Sequence, residues 1–337
     1  MKFSAYSAED GGGAGKPNIP KATKKLKNLA IYSKQEPEPF RKKLEQTFSS
    51  IRLPAKVECT QERLGRIPCD ILVPEVMASN RTVIYVHGGG FIGGSRNSWR
   101  SFCASFAAES SSKVIVPEYR LAPQYAYPAA LEDIQTVFRE IYTQLKSFGT
   151  KEPEIIIAAD GAGASIALAL VQTLKEPYRQ FIRNVVLFSP WLDISGNSIC
   201  ANTKKPRDGI ICSECIKRSA DLYTYESNLT NPLVSPLFMG PERLMDFPPV
   251  YIQCGGKELL LDDINKFYQR LIESNCNATL DVWPEMMFMF QMAHEFLPQA
   301  HFAVQRVGTY IKNFNKTTKV ETEDLWKKQE EDTEGIK

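Results

Sequence analysis

Residues 154–174 read EIIIAADGAGASIALALVQTL. Glu154–Ala159 is a continuous apolar run without polar alternation, so a strand there must be covered on both faces. Asp160-Gly161-Ala162-Gly163-Ala164 is a sharp turn built of small residues, and Ala162–Leu174 reads as a helix of small and apolar residues on every face. A strand feeding such a helix through glycines is the context in which strand and helix pack very closely.

The same alternation continues on both sides. Strand signals fall at Val57–Thr60, Ile67–Val73, Thr82–Val86, Val114–Pro117, Asn184–Ser189, Val250–Gln253 and Thr279–Trp283. Helical stretches lie near Trp99–Glu109 and Ala129–Leu145 and after the last two strands. Apolar strands alternating with helices predict an α/β protein with a mainly parallel sheet. No internal repeat interrupts this pattern.

A length of 337 residues suits one large α/β domain with a modest cap, or two ordinary domains, and 43% hydrophobic residues can fill a sizeable core. With 41 basic and 39 acidic side chains the formal charge is +2, which gives no broad field for nucleic acid. No run of 18 apolar residues exists to span a membrane. MKFSAYSAEDGGGAGK lacks the apolar segment of a secretory signal, so a cytoplasmic chain with reduced thiols is expected. Of the eight cysteines only Cys212 and Cys215 form a CxxC; with no second pair or histidine at zinc spacing, they read as a chance pair on an amphipathic helix. The Asn-x-Thr triplets at Asn80, Asn228, Asn277 and Asn315 are idle in such a compartment. The lysines of 21–48 read as the solvated face of a cap helix rather than as a membrane-binding face. No cofactor or metal is expected.

Two more segments carry chemistry. His87-Gly88-Gly89-Gly90-Phe91 follows the strand VIYV, where glycines let the backbone approach a ligand and turn N–H groups toward a developing oxyanion. Cys254-Gly255-Gly256-Lys257-Glu258-Leu259-Leu260-Leu261-Asp262-Asp263 follows another strand, and Asp281–Gln291 (DVWPEMMFMFQ) the next.

With these blocks the chain resembles the hormone-sensitive-lipase-like, HGGG branch of α/β-hydrolase carboxylesterases. The resemblance runs from about Ile67 to Lys312 through VIYVHGGGFIGGS, PEYRLAPQYAYPAALED, SPWLDIS, NPLVSPLF and PPVYIQCGGKELLLDD. It implies an α/β-hydrolase fold with an eight-stranded, mostly parallel sheet and a small helical cap. With the Gly-rich, polar start and the charged tail read as unstructured, the expected divisions are 1–20 disordered, 21–52 cap helices, 53–190 and 248–316 the core, 191–247 a cap insertion and 317–337 a mobile tail. The resemblance further implies that the amides of Gly89, Gly90 and Ala162, beside His87 and Gly88, form an oxyanion hole. A homodimer joined through an edge strand is one state the resemblance allows.

The chain departs from the family at two of three triad positions. Gly161 stands in the register of the nucleophilic serine and Phe288 in that of the histidine, leaving Glu258 as the acid. An acid without an imidazole to orient or a hydroxyl to activate does nothing in that mechanism. Of the three histidines, His87 belongs to the oxyanion turn, His294 is expected in the following helix ~9 Å beyond Phe288 at ~1.5 Å per residue, and His301 lies further on. Ser165 is expected to bond back to a carbonyl within a buried helix; Asp160 sits one residue early, and Cys254 ends a core strand. The expectation is a pseudoenzyme that binds a small apolar ligand with a carboxylate, ester or lactone head, or serves as a regulatory subunit. The alternative is an ester or lactone hydrolase with a rearranged site.

Overall fold

The computed structural model describes residues 17–317 apart from 33, 50–52, 55, 78–80, 148–153, 176–177 and 197–207. Most of the proposed N-terminal disorder, the triplet at Asn80 and the tail beyond 317 lie outside the described residues.

Eight strands form one sheet in the order β1-β2-β4-β3-β5-β6-β7-β8. They are β1 (Val57–Leu64), β2 (Ile67–Pro74), β3 (Thr82–Val86), β4 (Lys113–Pro117), β5 (Ile155–Asp160), β6 (Ile182–Phe188), β7 (Val250–Gly255) and β8 (Ala278–Trp283). Strand β2 runs antiparallel to β1 and β4, and all other neighbours are parallel. Every residue of β3 and β5 is buried, as apolar runs without alternation require. Strand β1 runs four residues past the predicted Thr60. As an edge strand it keeps polar side chains in water while its backbone pairs with β2 from Val57↔Pro74 to Leu64↔Ile67.

The helices are α1 (Ile19–Leu26), α2 (Pro37–Phe48), α3 (Arg96–Ser110), α4 (Ala129–Ser147), α5 (Gly161–Thr173), α6 (Ser213–Tyr223), α7 (Pro241–Leu244), α8 (Leu261–Glu273) and α9 (Pro298–Thr317). Because α3 packs on α9 and α4 on α5, the sheet is covered and its core is continuous. Helices α1, α2 and α6 fall in the segments expected to form a cap. Ile19 and Pro20 open α1, so the disordered stretch predicted to reach residue 20 stops short of them. Pro37 starts α2, where a missing N–H costs nothing, and Pro39 is accommodated in its first turn. One lysine of the α1 face is drawn into the fold: Lys25 Nζ pairs with Glu295 at 2.7 Å and lies over the Phe48 ring. Among the described residues, no helix is long and apolar enough to cross a membrane.

Candidate functional site

The carboxyl ends of β3, β5, β6, β7 and β8 deliver His87–Phe91, Asp160–Gly161, Ser189–Trp191, Glu258 and Met286–Met289 to one edge of the sheet. That edge is where open α/β sheets bind their ligands.

The turn after β3 is fixed from below. Asp160 is buried, and its Oδ1 accepts hydrogen bonds from Tyr85 Oη (2.9 Å), Gly88 N (2.9 Å) and Trp99 Nε1 (2.7 Å). Burial pushes its carboxyl up to about 7 against those three donors. His87 is also enclosed, stacked on Tyr119 with ring centroids 4.3 Å apart, while Tyr119 Oη donates to the His87 carbonyl at 2.6 Å. Burial brings the imidazole down to about 4, so it is neutral at pH 7; its Nδ1 lies 2.9 Å from the Gly88 carbonyl, a bond that requires the proton on Nδ1. His87 and Asp160 are therefore both engaged in bracing the glycine turn.

Gly161 begins α5 with φ +47°, a left-handed conformation that glycine adopts at little cost. Two residues on, a Cβ at Gly163 would overlap the Val86 and His87 carbonyls, so only glycine lets α5 start so close to β3. At position 161 a Cβ would have more room, 3.3 Å from Phe288 Cζ and 3.9 Å from Trp191 Nε1. The Phe288 ring thus faces Gly161 directly. From above, α6 closes the turn. A Cβ at Gly90 would lie 2.7 Å from Ser219 Oγ, and Tyr223 stacks on Phe91 with centroids 3.9 Å apart. Trp191 meets Phe91 edge-on at 6.2 Å. Trp191 Nε1 and Ser219 Oγ are buried and have no hydrogen-bond partner among the described residues.

Glu258 is fully buried. Its Oε1 accepts from Ser189 Oγ and from Gly255 N, both at 2.6 Å, while Oε2 has no partner among the described residues. Ser189 Oγ in turn accepts the Met289 amide at 3.1 Å, so the acid is joined through one hydroxyl to the segment that carries Phe288. Burial raises the Glu258 carboxyl to about 8, and the two donors only partly oppose this. Its folded pKa exceeds the unfolded value, so the native state keeps a proton that the unfolded chain releases. The stability it contributes is complete below about 4.5 and is lost as pH rises toward 8. Glu258→Gln preserves the accepting oxygen and removes the ionisation. The variant should match the wild type near pH 5 and melt a few degrees higher near pH 8, as differential scanning calorimetry would record; equal gaps at both pH values would refute a protonated Glu258.

The other sequence candidates are not assembled at this edge. His294 ends a short turn, Phe290–Ala293, before α9 begins, and does not lie in a helix as expected; it is exposed, beside Glu295 and Lys25. The left-handed Met289 (φ 52°) breaks the chain direction there. His301 is exposed on α9. Ser165 Oγ does bond a carbonyl, but that of Trp191 at 2.7 Å and not one in its own helix, so it fixes the tryptophan over Gly161. The Cys254 thiol is fully buried, which pushes its pKa well up. Two clefts, of about 580 and 440 Å³, open elsewhere: one between residues 193–196 and α6, the other between α2 and residues 118–125. Neither is lined by Gly90, Gly161 or Phe288. No cluster of three or more His, Cys, Asp or Glu side chains able to hold a metal occurs among the described residues.

The sheet order and the close approach of α5 to the turn after β3 define an α/β hydrolase. Residues 83–292 match the family model described as alpha/beta hydrolase fold, and the chain belongs to that family. An acetyl-hydrolase of Streptomyces hygroscopicus is 29% identical over 232 residues, 69% of this chain and 75% of its own. An esterase of Acinetobacter venetianus is 30% identical over 234 residues, with the same 69% and 75% coverage. Among solved structures, an esterase from the bacterial hormone-sensitive lipase family superposes with a TM-score of 0.78 at 25% identity, over 89% of this chain and 99% of that one.

Proposed function

We propose that this chain keeps the frame of an ester hydrolase but not its serine mechanism, and acts as a non-catalytic binder of a small molecule with a carboxylate, ester or lactone head. The observation that carries the reading is the pairing of Gly161 with the Phe288 ring. Position 161 has no side chain to attack, and the ring facing it has no proton to exchange. What the edge retains is donors. The first amides of α5 and the glycine turn favour an acceptor or an anion, and Trp191 Nε1 and Ser219 Oγ, without a partner among the described residues, flank them. A buried donor without a partner costs about 1–3 kcal/mol, which a ligand's oxygen would recover.

A thermal-shift screen of short-chain carboxylates and lactones tests the proposal. At least one should raise the Tm by 2 °C or more, about 1 kcal/mol in a domain of this size, and Ser219→Ala should reduce that shift. A flat response across the panel contradicts ligand binding. The second reading, ester hydrolysis by a rearranged site, is favoured by the esterase names of the relatives. It requires turnover of p-nitrophenyl acetate or butyrate above a heat-killed control, lost on His294→Ala. The expected result is no turnover above that control.

A further inference from the structure

The first turn of α6 holds chemistry that the functional reading does not use. Cys212 is the N-cap of this helix, with an extended backbone (φ −126°, ψ 164°), and makes no capping hydrogen bond with its side chain. Cys215 occupies the third helical position, and its N–H donates to the Cys212 carbonyl at 3.0 Å. In a capping box the N-cap side chain and the side chain three residues on each bond the other residue's backbone N–H, which keeps the two side chains near one another. Here those two positions carry thiols, and the sulfurs stand 2.9 Å apart, both residues buried. Helix spacing alone would not bring them so close; the extended N-cap does.

We propose that Cys212 and Cys215 are a reversible dithiol/disulfide site that sets how firmly α6 is seated over the Gly90–Phe91 turn. The oxidant class is a small disulfide such as oxidised glutathione. The Cys212 thiolate, from the less enclosed of the two residues (7% exposed against 0%), attacks one glutathione sulfur and expels the first glutathione thiolate. The Cys215 thiolate then attacks the Cys212 sulfur and expels the second. Two cysteine protons leave, the protein loses two electrons, and the glutathione disulfide gains them. Burial, with a smaller push from Cys212, holds the Cys215 thiol well above its ordinary pKa, so the second step is slow at neutral pH and accelerates with alkali.

The pair sits at a junction. Asp208, four residues before Cys212, accepts the Phe288 amide at 2.8 Å and the Ile210 amide at 2.9 Å. The Tyr32 hydroxyl donates to the Ile210 carbonyl at 3.0 Å, tying in the N-terminal part of the cap. Downstream on α6, Ser219 and Tyr223 close over Gly90 and Phe91. A crosslink in the first turn therefore stiffens one continuous path from residue 208 to Tyr223.

The test treats the full-length protein with oxidised glutathione, then with dithiothreitol, and reads intact mass, alkylated peptide maps and deuterium uptake of residues 213–223. The expected result is a reversible loss of two mass units mapped to the Cys212–Cys215 peptide. Deuterium uptake in α6 should be at least threefold slower in the oxidised form. Cys212→Ser places a strong N-cap residue at the same position, so the variant folds and should show neither change. Two alkylatable thiols after oxidation, a crosslink that maps to Cys200 instead, or a crosslink that leaves α6 exchange unchanged would each overturn the proposal. Ligand binding is not read here, so this outcome is independent of the functional reading above.

Discussion

Gly161→Ser combined with Phe288→His is expected to give p-nitrophenyl acetate hydrolysis at least ~100-fold above the wild-type chain, with each single variant at background. The size follows from the ~10²–10⁴-fold that a positioned general base contributes, and from the non-additivity of groups that act as a unit. Serine at φ +47° costs about 1–3 kcal/mol, which the fold must absorb. In Gly161→Ser alone the new Cβ meets the edge of Phe288 at 3.3 Å, so the ring must move or the hydroxyl must turn away. The smaller imidazole removes that crowding. An imidazole that reached Oε2 of Glu258, which has no partner among the described residues, would supply a donor and a charge partner and pull that carboxyl below its present value of about 8. Activity in the double variant should therefore rise with pH as the introduced imidazole loses its proton. A double variant that still unfolds cooperatively but shows no turnover would mean that the oxyanion turn or the acid is also incompetent, and that the site lacks more than two groups.

Much of this frame can be read from the chain because buried parallel strands leave a strong imprint. Ile155–Asp160 and Thr82–Val86 are apolar on both faces, and their predicted limits match within one residue. The far half of β1 leaves no apolar imprint, since Gln61, Glu62 and Arg63 face water; only the backbone ladder to β2 reveals it. The glycine turn, the sharp turn at Asp160–Ala164 and Glu258 follow strands in order, so their convergence at one edge is implied by topology. The lid over them is not. Ser219 and Tyr223 reach Gly90 and Phe91 from more than a hundred residues away, and although the period of α6 marks its buried face (Cys215, Ile216, Ser219, Ala220, Tyr223), nothing in the chain says which turn that face covers. Ser189 lay within a recognised block, yet its bond to Glu258 depends on a left-handed backbone (φ 45°) that no side-chain pattern encodes. The CxxC was legible as spacing only; the extended N-cap makes it a contact.

Asp160 offers the largest expected stability effect. Asp160→Ala leaves three buried donors, Tyr85 Oη, Gly88 N and Trp99 Nε1, without their common acceptor. At about 1–3 kcal/mol for each stranded group and incomplete additivity, the loss should be about 4 kcal/mol. The Tm should then fall by roughly 10 °C. Asp160→Asn keeps the accepting oxygen, so it should recover most of that loss, and the recovery depends on pH. Burial raises the folded pKa to about 7, above the unfolded value, so the wild-type contribution is complete below about 4 and declines as pH rises toward 7. His87 acts in the opposite sense. Its imidazole is lowered to about 4, so its contribution is complete above about 6.5 and is lost as pH falls toward 4. The asparagine variant should consequently compare best with the wild type at pH 8, where the buried aspartate is charged, and worst near pH 4. Thermal melts of the three proteins at pH 5 and pH 8 read both effects. If Asp160→Ala costs less than 1 kcal/mol, the carboxylate is not what holds the glycine turn. If alanine and asparagine behave alike, the shared acceptor is not the source of the stability. In the Gly161→Ser, Phe288→His background, the same Asp160→Ala change releases the Gly88 amide and should abolish the gained hydrolysis, because an oxyanion hole works only when its amides are held in place before charge develops.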